Sequence, residues 1–140
     1  KSIMVSLKPK MIYPNVRNIG VYRASGKSHT YLGGEWINDR INFHTREFGD
    51  FMILQDSVPP VITPVYVNSS TARFKIRDYL SGISDYQATI NGEWVLMHYD
   101  NKNSVIWSEQ LNKKLPMRGL FELKVTDRAG NTTTFTQKIP

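Results

Sequence analysis

Hydrophobic and polar residues alternate along most of the chain, most clearly at its C-terminal end. Phe121, Leu123 and Val125 alternate with polar residues, which is the period-two pattern of a half-buried strand. The next five residues, 127–131, include a glycine and an asparagine, residue types that adopt the positive φ of tight hairpins. A second alternating run then follows. The chain is therefore predicted to end in a β-hairpin.

The same reading predicts thirteen short strands and no segment with a helical period. The predicted strands are Ser2–Lys8, Arg17–Ala24, His29–Leu32, Glu35–Asn38, Arg40–Arg46, Phe51–Asp56, Val61–Val67, Thr71–Tyr79, Ile83–Ile90, Glu93–Tyr99, Val105–Glu109, Gly119–Thr126 and Thr133–Ile139. Turn-forming residues separate these runs throughout the chain. The predicted fold class is all-β.

Two consecutive prolines, Pro59 and Pro60, mark the predicted boundary between two domains, because proline cannot donate to a strand ladder. Residues 57–140 hold seven strands at regular spacing, which predicts an immunoglobulin-like β-sandwich. Residues 1–56 predict a smaller β unit that is short for a complete sandwich. This unit is either truncated or supported by the second domain.

A weak internal repeat links the two predicted domains. Gly34-Glu35-Trp36 and Gly92-Glu93-Trp94 each read as a hairpin turn that enters a strand. If the units are related, each tryptophan is expected to pack across its own core; chance similarity between two hairpins is an equal alternative. On this reading Trp94 is buried, with Leu96 on the same face, and Trp107 is less buried.

Composition excludes several classes of function. The chain has no cysteine, which excludes disulfides, cysteine-ligated metals and a thiol nucleophile. The net charge of +6 is spread evenly: residues 1–56 hold eight Lys/Arg against five acids, and residues 57–140 hold ten against seven. An excess of positive charge that is spread evenly along the chain favours solvated strand faces over a nucleic-acid-binding site. No apolar run is long enough to cross a membrane, so membrane insertion is not expected.

Four segments, taken in order, resemble the C-terminal β-sandwich extension of lysostaphin-type zinc metallopeptidases of Bacteroidetes. They are Phe48–Phe51 continuing to Asp56–Pro60, Asp78–Ile83, Ile90–Asp100 and Val125–Thr132. The resemblance implies an exported bacterial envelope protein, periplasmic, secreted or on the cell surface. It also implies an upstream domain of the same polypeptide that cuts peptidoglycan.

The zinc ligands of that peptidase class are absent from this chain. The class uses a His-x-x-x-Asp pair and a His-x-His pair, whereas His29, His44 and His98 fit neither spacing. We therefore expect no enzyme activity, no zinc site and no cofactor. A structural calcium ion is a minor alternative, if oxygens of Asp78, Asp85, Asp127 and Asn131 converge at one end of the sandwich.

Seven aromatic residues exceed what one small core needs: Tyr13, Tyr22, Tyr31, Trp36, Tyr66, Tyr99 and Trp107. Tyr31, Tyr99 and Trp107 are the candidate ligand-binding residues, because exposed rings can stack on sugar faces. The expected partner is peptidoglycan or another glycan. The alternative is that these aromatics serve packing, since aromatic side chains suit half-buried strands. Two functions therefore follow: a spacer or positioning region, or a carbohydrate-binding module.

Overall fold

A computed structural model describes residues 1–140. It contains thirteen strands and no helix, which confirms the predicted all-β class. The strands are β1 (Ile3–Leu7), β2 (Ile19–Ser25), β3 (Ser28–Gly33), β4 (Glu35–Ile37), β5 (Arg40–Thr45), β6 (Asp50–Gln55), β7 (Val61–Val67), β8 (Ala72–Arg77), β9 (Ile83–Ile90), β10 (Glu93–Asp100), β11 (Val105–Glu109), β12 (Gly119–Asp127) and β13 (Thr132–Ile139). The structure therefore has no helix that is long and apolar enough to cross a membrane.

The chain divides into two compact units. The first comprises Lys1–Val58 together with Arg128–Asn131, the turn of the last hairpin. The second comprises Pro59–Asp127 and Thr132–Pro140. Within the first unit, Asn131 Nδ2 donates a hydrogen bond to the Asp56 carbonyl oxygen at 2.8 Å.

The first unit consists of two three-stranded antiparallel sheets, ordered β1-β5-β4 and β3-β2-β6. Both sheets contribute to one small core, centred on the fully buried side chains of Val21, Ile41 and Phe43. Phe43 contacts Phe51 of β6, with ring centroids 5.2 Å apart. Gly34 lets the Ile41 side chain pack closely against the backbone, because a Cβ at position 34 would lie only 2.7 Å from that side chain.

The second unit is one seven-stranded sheet, ordered β13-β12-β9-β10-β11-β8-β7, that folds into two layers. β10 belongs to both layers: Glu93–Val95 pair with β9, and Leu96–Asp100 pair with β11. The edge strands β7 and β13 contact each other, so the sheet is nearly closed. The hydroxyl of Thr133 donates to the Pro60 carbonyl oxygen at this junction. This arrangement is consistent with a β-sandwich.

Aromatic residues from opposite layers form the centre of the second core. Phe74 on β8 stacks on Phe121 of β12 at 5.7 Å and meets the edge of Phe135 of β13 at 5.0 Å. Further buried apolar residues surround these rings on β8, β9, β10, β11 and β12. The inward residues alternate with exposed ones, as the sequence pattern predicts for half-buried strands.

The predicted burial of Trp94 is wrong. Trp94 is 62% exposed, whereas Val95 packs against the core and Met97 is buried. Both faces of β10 carry large apolar residues, so alternation alone assigned the wrong set to the core. Because successive side chains of a strand point to opposite faces, assigning one residue of β10 to the wrong face reverses the predicted face of every residue in that strand. Trp36, the other repeat tryptophan, does pack against its core.

We predict that residues 59–140 fold independently, because all eleven buried residues of the second core lie within that range. The fragment should give a β-type circular dichroism spectrum and a cooperative melting transition. A fragment with no cooperative transition would contradict independent folding.

Two matched substitutions test the assignment of core and surface in the second unit. Phe74→Ala should lower the free energy of unfolding by about 3–5 kcal/mol, the usual cost of deleting a core aromatic side chain. Trp94→Ala should change it by less than about 1 kcal/mol, since this side chain is mostly exposed. Urea denaturation measures both values. Equal losses would place Trp94 in the core.

Candidate ligand-binding surface

Tyr31 lies on β3 of the first unit and is only partly exposed. Its ring meets the edge of the buried Tyr22 ring, with centroids 5.3 Å apart. The ring also lies so close to Gly20 that a Cβ there would approach a Tyr31 ring carbon at 3.0 Å. Tyr31 therefore packs against its own sheet, as the packing alternative predicts for these aromatics.

Tyr99 lies on the inward face of β10 and packs against the second core. Its ring meets the edge of Tyr86 at 5.7 Å, and its hydroxyl donates to Asn101 Oδ1 at 3.1 Å. Burial raises the pKa of the Tyr99 phenol, and the negative charge of the neighbouring Asp100 raises that pKa further. These contacts leave Tyr99 little ring surface for a ligand.

Trp107 lies on the outer face of the second unit, within a ladder of four side chains across adjacent strands. The register pairs Tyr66 with Arg73, Arg73 with Trp107, and Trp107 with His98. The Arg73 guanidinium carbon lies 5.6 Å from the centre of the Trp107 ring. The His98 imidazole stacks on the same ring, with centroids 5.7 Å apart and planes inclined by 29°.

Because β11 lies between β8 and β10, Arg73 and His98 reach Trp107 from opposite sides. The indole thus has a cationic partner on one flank and an aromatic partner on the other. His98 is held in turn by the Glu109 carboxylate, which contacts its Nε2 atom. The ladder gives Trp107 a packing role on the outer face of the sheet, and the partly exposed ring also borders a cleft of about 490 Å³.

Trp94 is 62% exposed, whereas Tyr31, Tyr99 and Trp107 are only partly exposed. It stands at the point where β10 leaves β9 and joins β11, and the divergence of the strands opens a cleft on each side of it. The larger cleft, hereafter the Trp94 cleft, has a volume of about 500 Å³. Its lining includes Glu93, Trp94, Leu111, Leu115, Met117 and Arg118.

The wall opposite Trp94 is the loop between β11 and β12, residues 110–118, which is held by hydrogen bonds. Gln110 Nε2 donates to the Leu115 carbonyl at 2.8 Å and to the Ser69 carbonyl at 3.3 Å. The Met117 amide donates to the same Ser69 carbonyl at 2.7 Å, and the Met117 side chain is buried in the core. Hydrogen bonds thus tie both ends of this loop to the rest of the second unit.

One end of the Trp94 cleft is formed by the tight turn between β9 and β10. Asn91 and Gly92 both adopt positive φ there, at 49° and 83°. Asn91 also binds the start of β12: its Oδ1 accepts a hydrogen bond from the Leu120 amide at 2.9 Å. Gly119 makes this approach possible, since a Cβ at that position would lie 2.1 Å from Asn91 Nδ2.

Two of the four residues considered for calcium lie close together. Carboxylate oxygens of Asp78 and Asp127 are within 4.8 Å of each other in the second unit. Asp78 already serves its own turn, because its Oδ2 accepts a hydrogen bond from the Gly82 amide at 2.8 Å. Asp85 is exposed on β9, and Asn131 binds the Asp56 carbonyl oxygen. Asp78 and Asn131 therefore have structural roles.

Sequence reasoning missed Trp94 as a surface residue because it placed this side chain in the core. The available signal was the second set of apolar residues on the strand: Val95, Met97 and Tyr99 alternate as regularly as Trp94 and Leu96. Comparison with protein-family models gives no match, and comparison with curated proteins finds no significantly similar sequence.

The ladder predicts an energetic coupling between Arg73 and Trp107. In a double-mutant cycle of Arg73→Ala and Trp107→Ala, we expect a coupling free energy of about 0.5–1 kcal/mol, typical of an exposed cation–π pair. Chemical denaturation of the four proteins provides the measurement. Strictly additive losses would show that the Arg73–Trp107 contact contributes nothing to stability.

Proposed function

We propose that this chain is a non-catalytic accessory region of an exported bacterial envelope protein. In this proposal it acts as a spacer that positions a peptidoglycan-directed peptidase domain of the same polypeptide. Two observations support the proposal. The first is the resemblance of the four sequence segments to the peptidase extension, and the second is the structural role of residues within those segments.

The observation that carries the proposal is that polar residues within these segments hold turns and junctions of the fold. Asp78 hydrogen-bonds within its own turn, Asn91 ties the β9–β10 turn to β12, and Asn131 binds the Asp56 carbonyl oxygen. Residues committed to backbone hydrogen bonds maintain a scaffold and are not free to act on a substrate. A scaffold of this kind suits a spacer.

The strand order of the second unit supports an immunoglobulin-like assignment within this proposal. One layer runs β7-β8-β11-β10 and the other runs β9-β12-β13. This is the order of an immunoglobulin domain of the constant type, whose layers are ABED and CFG. Such sandwiches serve many functions, so the assignment concerns architecture and leaves the spacer role to be tested separately.

The proposal is tested by assaying the purified chain for peptidoglycan cleavage and zinc content, and by reading the coding sequence upstream of Lys1. We expect no released fragments and no stoichiometric zinc. We expect an upstream domain carrying the His-x-x-x-Asp and His-x-His pairs. Cleavage by this chain alone would contradict the non-catalytic role, and an unrelated upstream domain would contradict the peptidase context.

A second candidate function is that of a carbohydrate-binding module. The exposed indole of Trp94, which borders two clefts, is the specific observation in its favour. Tyr31, Tyr99 and Trp107, which were predicted for this role, make packing contacts instead. This candidate is compatible with the spacer role, since an accessory region can also hold its protein on a glycan.

A further inference from the structure

We propose that the Trp94 cleft binds a neutral pyranose ring of a glycan chain. This inference rests on the second candidate function and gives it a site and a class of ligand. The ring would lie with its apolar C–H face on the indole of Trp94 and its hydroxyl groups toward the polar rim of the cleft.

The chemistry of the lining favours such a ligand over a purely apolar one. Trp94 is 62% exposed, and Leu111 and Leu115 on the opposite wall are 80% and 65% exposed. Glu93 and Arg118 stand among these apolar groups. A pyranose combines an apolar face with a rim of hydroxyl groups that both donate and accept hydrogen bonds, so it can satisfy both kinds of surface.

Charge indicates that the ligand is neutral. The cleft is lined by three charged residues, Glu93, Glu109 and Arg118. Glu109 is already engaged by His98, whereas Glu93 and Arg118 form no ion pair. The lining thus carries charges of both signs side by side, with no patch of a single sign that would attract an ion. Glu93 and Arg118 can instead hydrogen-bond to hydroxyls, the carboxylate as acceptor and the guanidinium as donor.

Hydrogen bonds hold parts of the cleft wall in place, which lowers the cost of binding. The hydrogen bonds of Gln110 and the anchored Met117 fix the loop wall, and the Asn91 contact with Leu120 fixes the turn. These hydrogen-bonded parts of the wall are in place before a ligand binds. The volume of about 500 Å³ lies within the range of small-molecule sites, about 300–1,000 Å³.

The test titrates the full chain with cellotetraose and with chitotetraose while tryptophan fluorescence and binding heat are recorded. Both probes are neutral chains of pyranose rings, and only chitotetraose carries acetamido groups. We expect saturable binding of at least one probe below about 10 mM, the range of weak affinities. Preference for one probe shows whether the acetamido group contributes.

Three variants locate the binding. Trp94→Ala should weaken binding by at least about tenfold, and Trp94→Phe should recover part of the loss because a ring is restored. Trp107→Phe is the matched control and should bind as the unmodified chain does. Melting curves confirm that each variant is folded. Arg118→Gln keeps hydrogen-bond donors and should weaken binding only a few-fold, by loss of charge assistance.

The outcomes separate the site from the function. If the chain binds a probe and Trp94→Ala binds it equally well, the Trp94 site is wrong while the carbohydrate-binding function stands. If neither probe binds, the neutral-pyranose inference is overturned. In that case, binding of an anionic glycan such as polygalacturonate would support the carbohydrate-binding function with a different ligand. If the chain does not bind polygalacturonate either, the carbohydrate-binding function is contradicted. Binding of an extended peptide in the cleft instead would also overturn the inference.

Discussion

The second unit depends on the way β10 divides its pairing between two neighbours. Val95 pairs with Ala88 on β9, and only three residues later His98 pairs with Trp107 on β11. This change of partner bends one continuous sheet into two layers, with Phe74 and Phe121 meeting between them. A strand that kept one partner along its whole length would leave the sheet open and its apolar face exposed to solvent.

The same division creates the Trp94 cleft. Where two strands part, the backbone beyond the last pair is no longer covered by a neighbour, and a side chain close to that point is open on one flank. Trp94 occupies this position, and the loop of residues 110–118 closes the far side. The fold thus requires the divergence for its core, and the exposed indole makes that divergence a candidate binding site.

Turn residues hold this geometry in place. Gly119 lets β12 begin directly against Asn91, and Asn91 both forms the β9–β10 turn and binds the Leu120 amide. Asp78 performs a similar role in the turn before β9. These contacts explain why the segments richest in glycine, asparagine and aspartate lie between strands. The aspartate and asparagine side chains accept hydrogen bonds from backbone amides that have no strand partner in these irregular segments.

Much of the fold was predictable from the sequence, because half-buried strands repeat with a period of two and turns have a distinct composition. The limits of Val61–Val67, Ile83–Ile90 and Val105–Glu109 agree at both ends with the observed strands. The candidate site was not predictable. β10 is apolar on both faces, so the pattern could not tell that Met97 points inward and Trp94 outward. The stacking of Trp107 between Arg73 and His98 depends on which strands are neighbours, which local periodicity does not encode.

The most direct test of this account is the strand pairing of β10 in solution, measured by nuclear Overhauser contacts between backbone protons. We expect cross-strand contacts between Val95 and Ala88 and between His98 and Trp107. We expect none between Met97 and Tyr86, the pair that would form if β10 continued along β9. A continuous ladder that includes the Met97–Tyr86 pair would contradict the division of β10. It would also remove the structural basis of the Trp94 cleft.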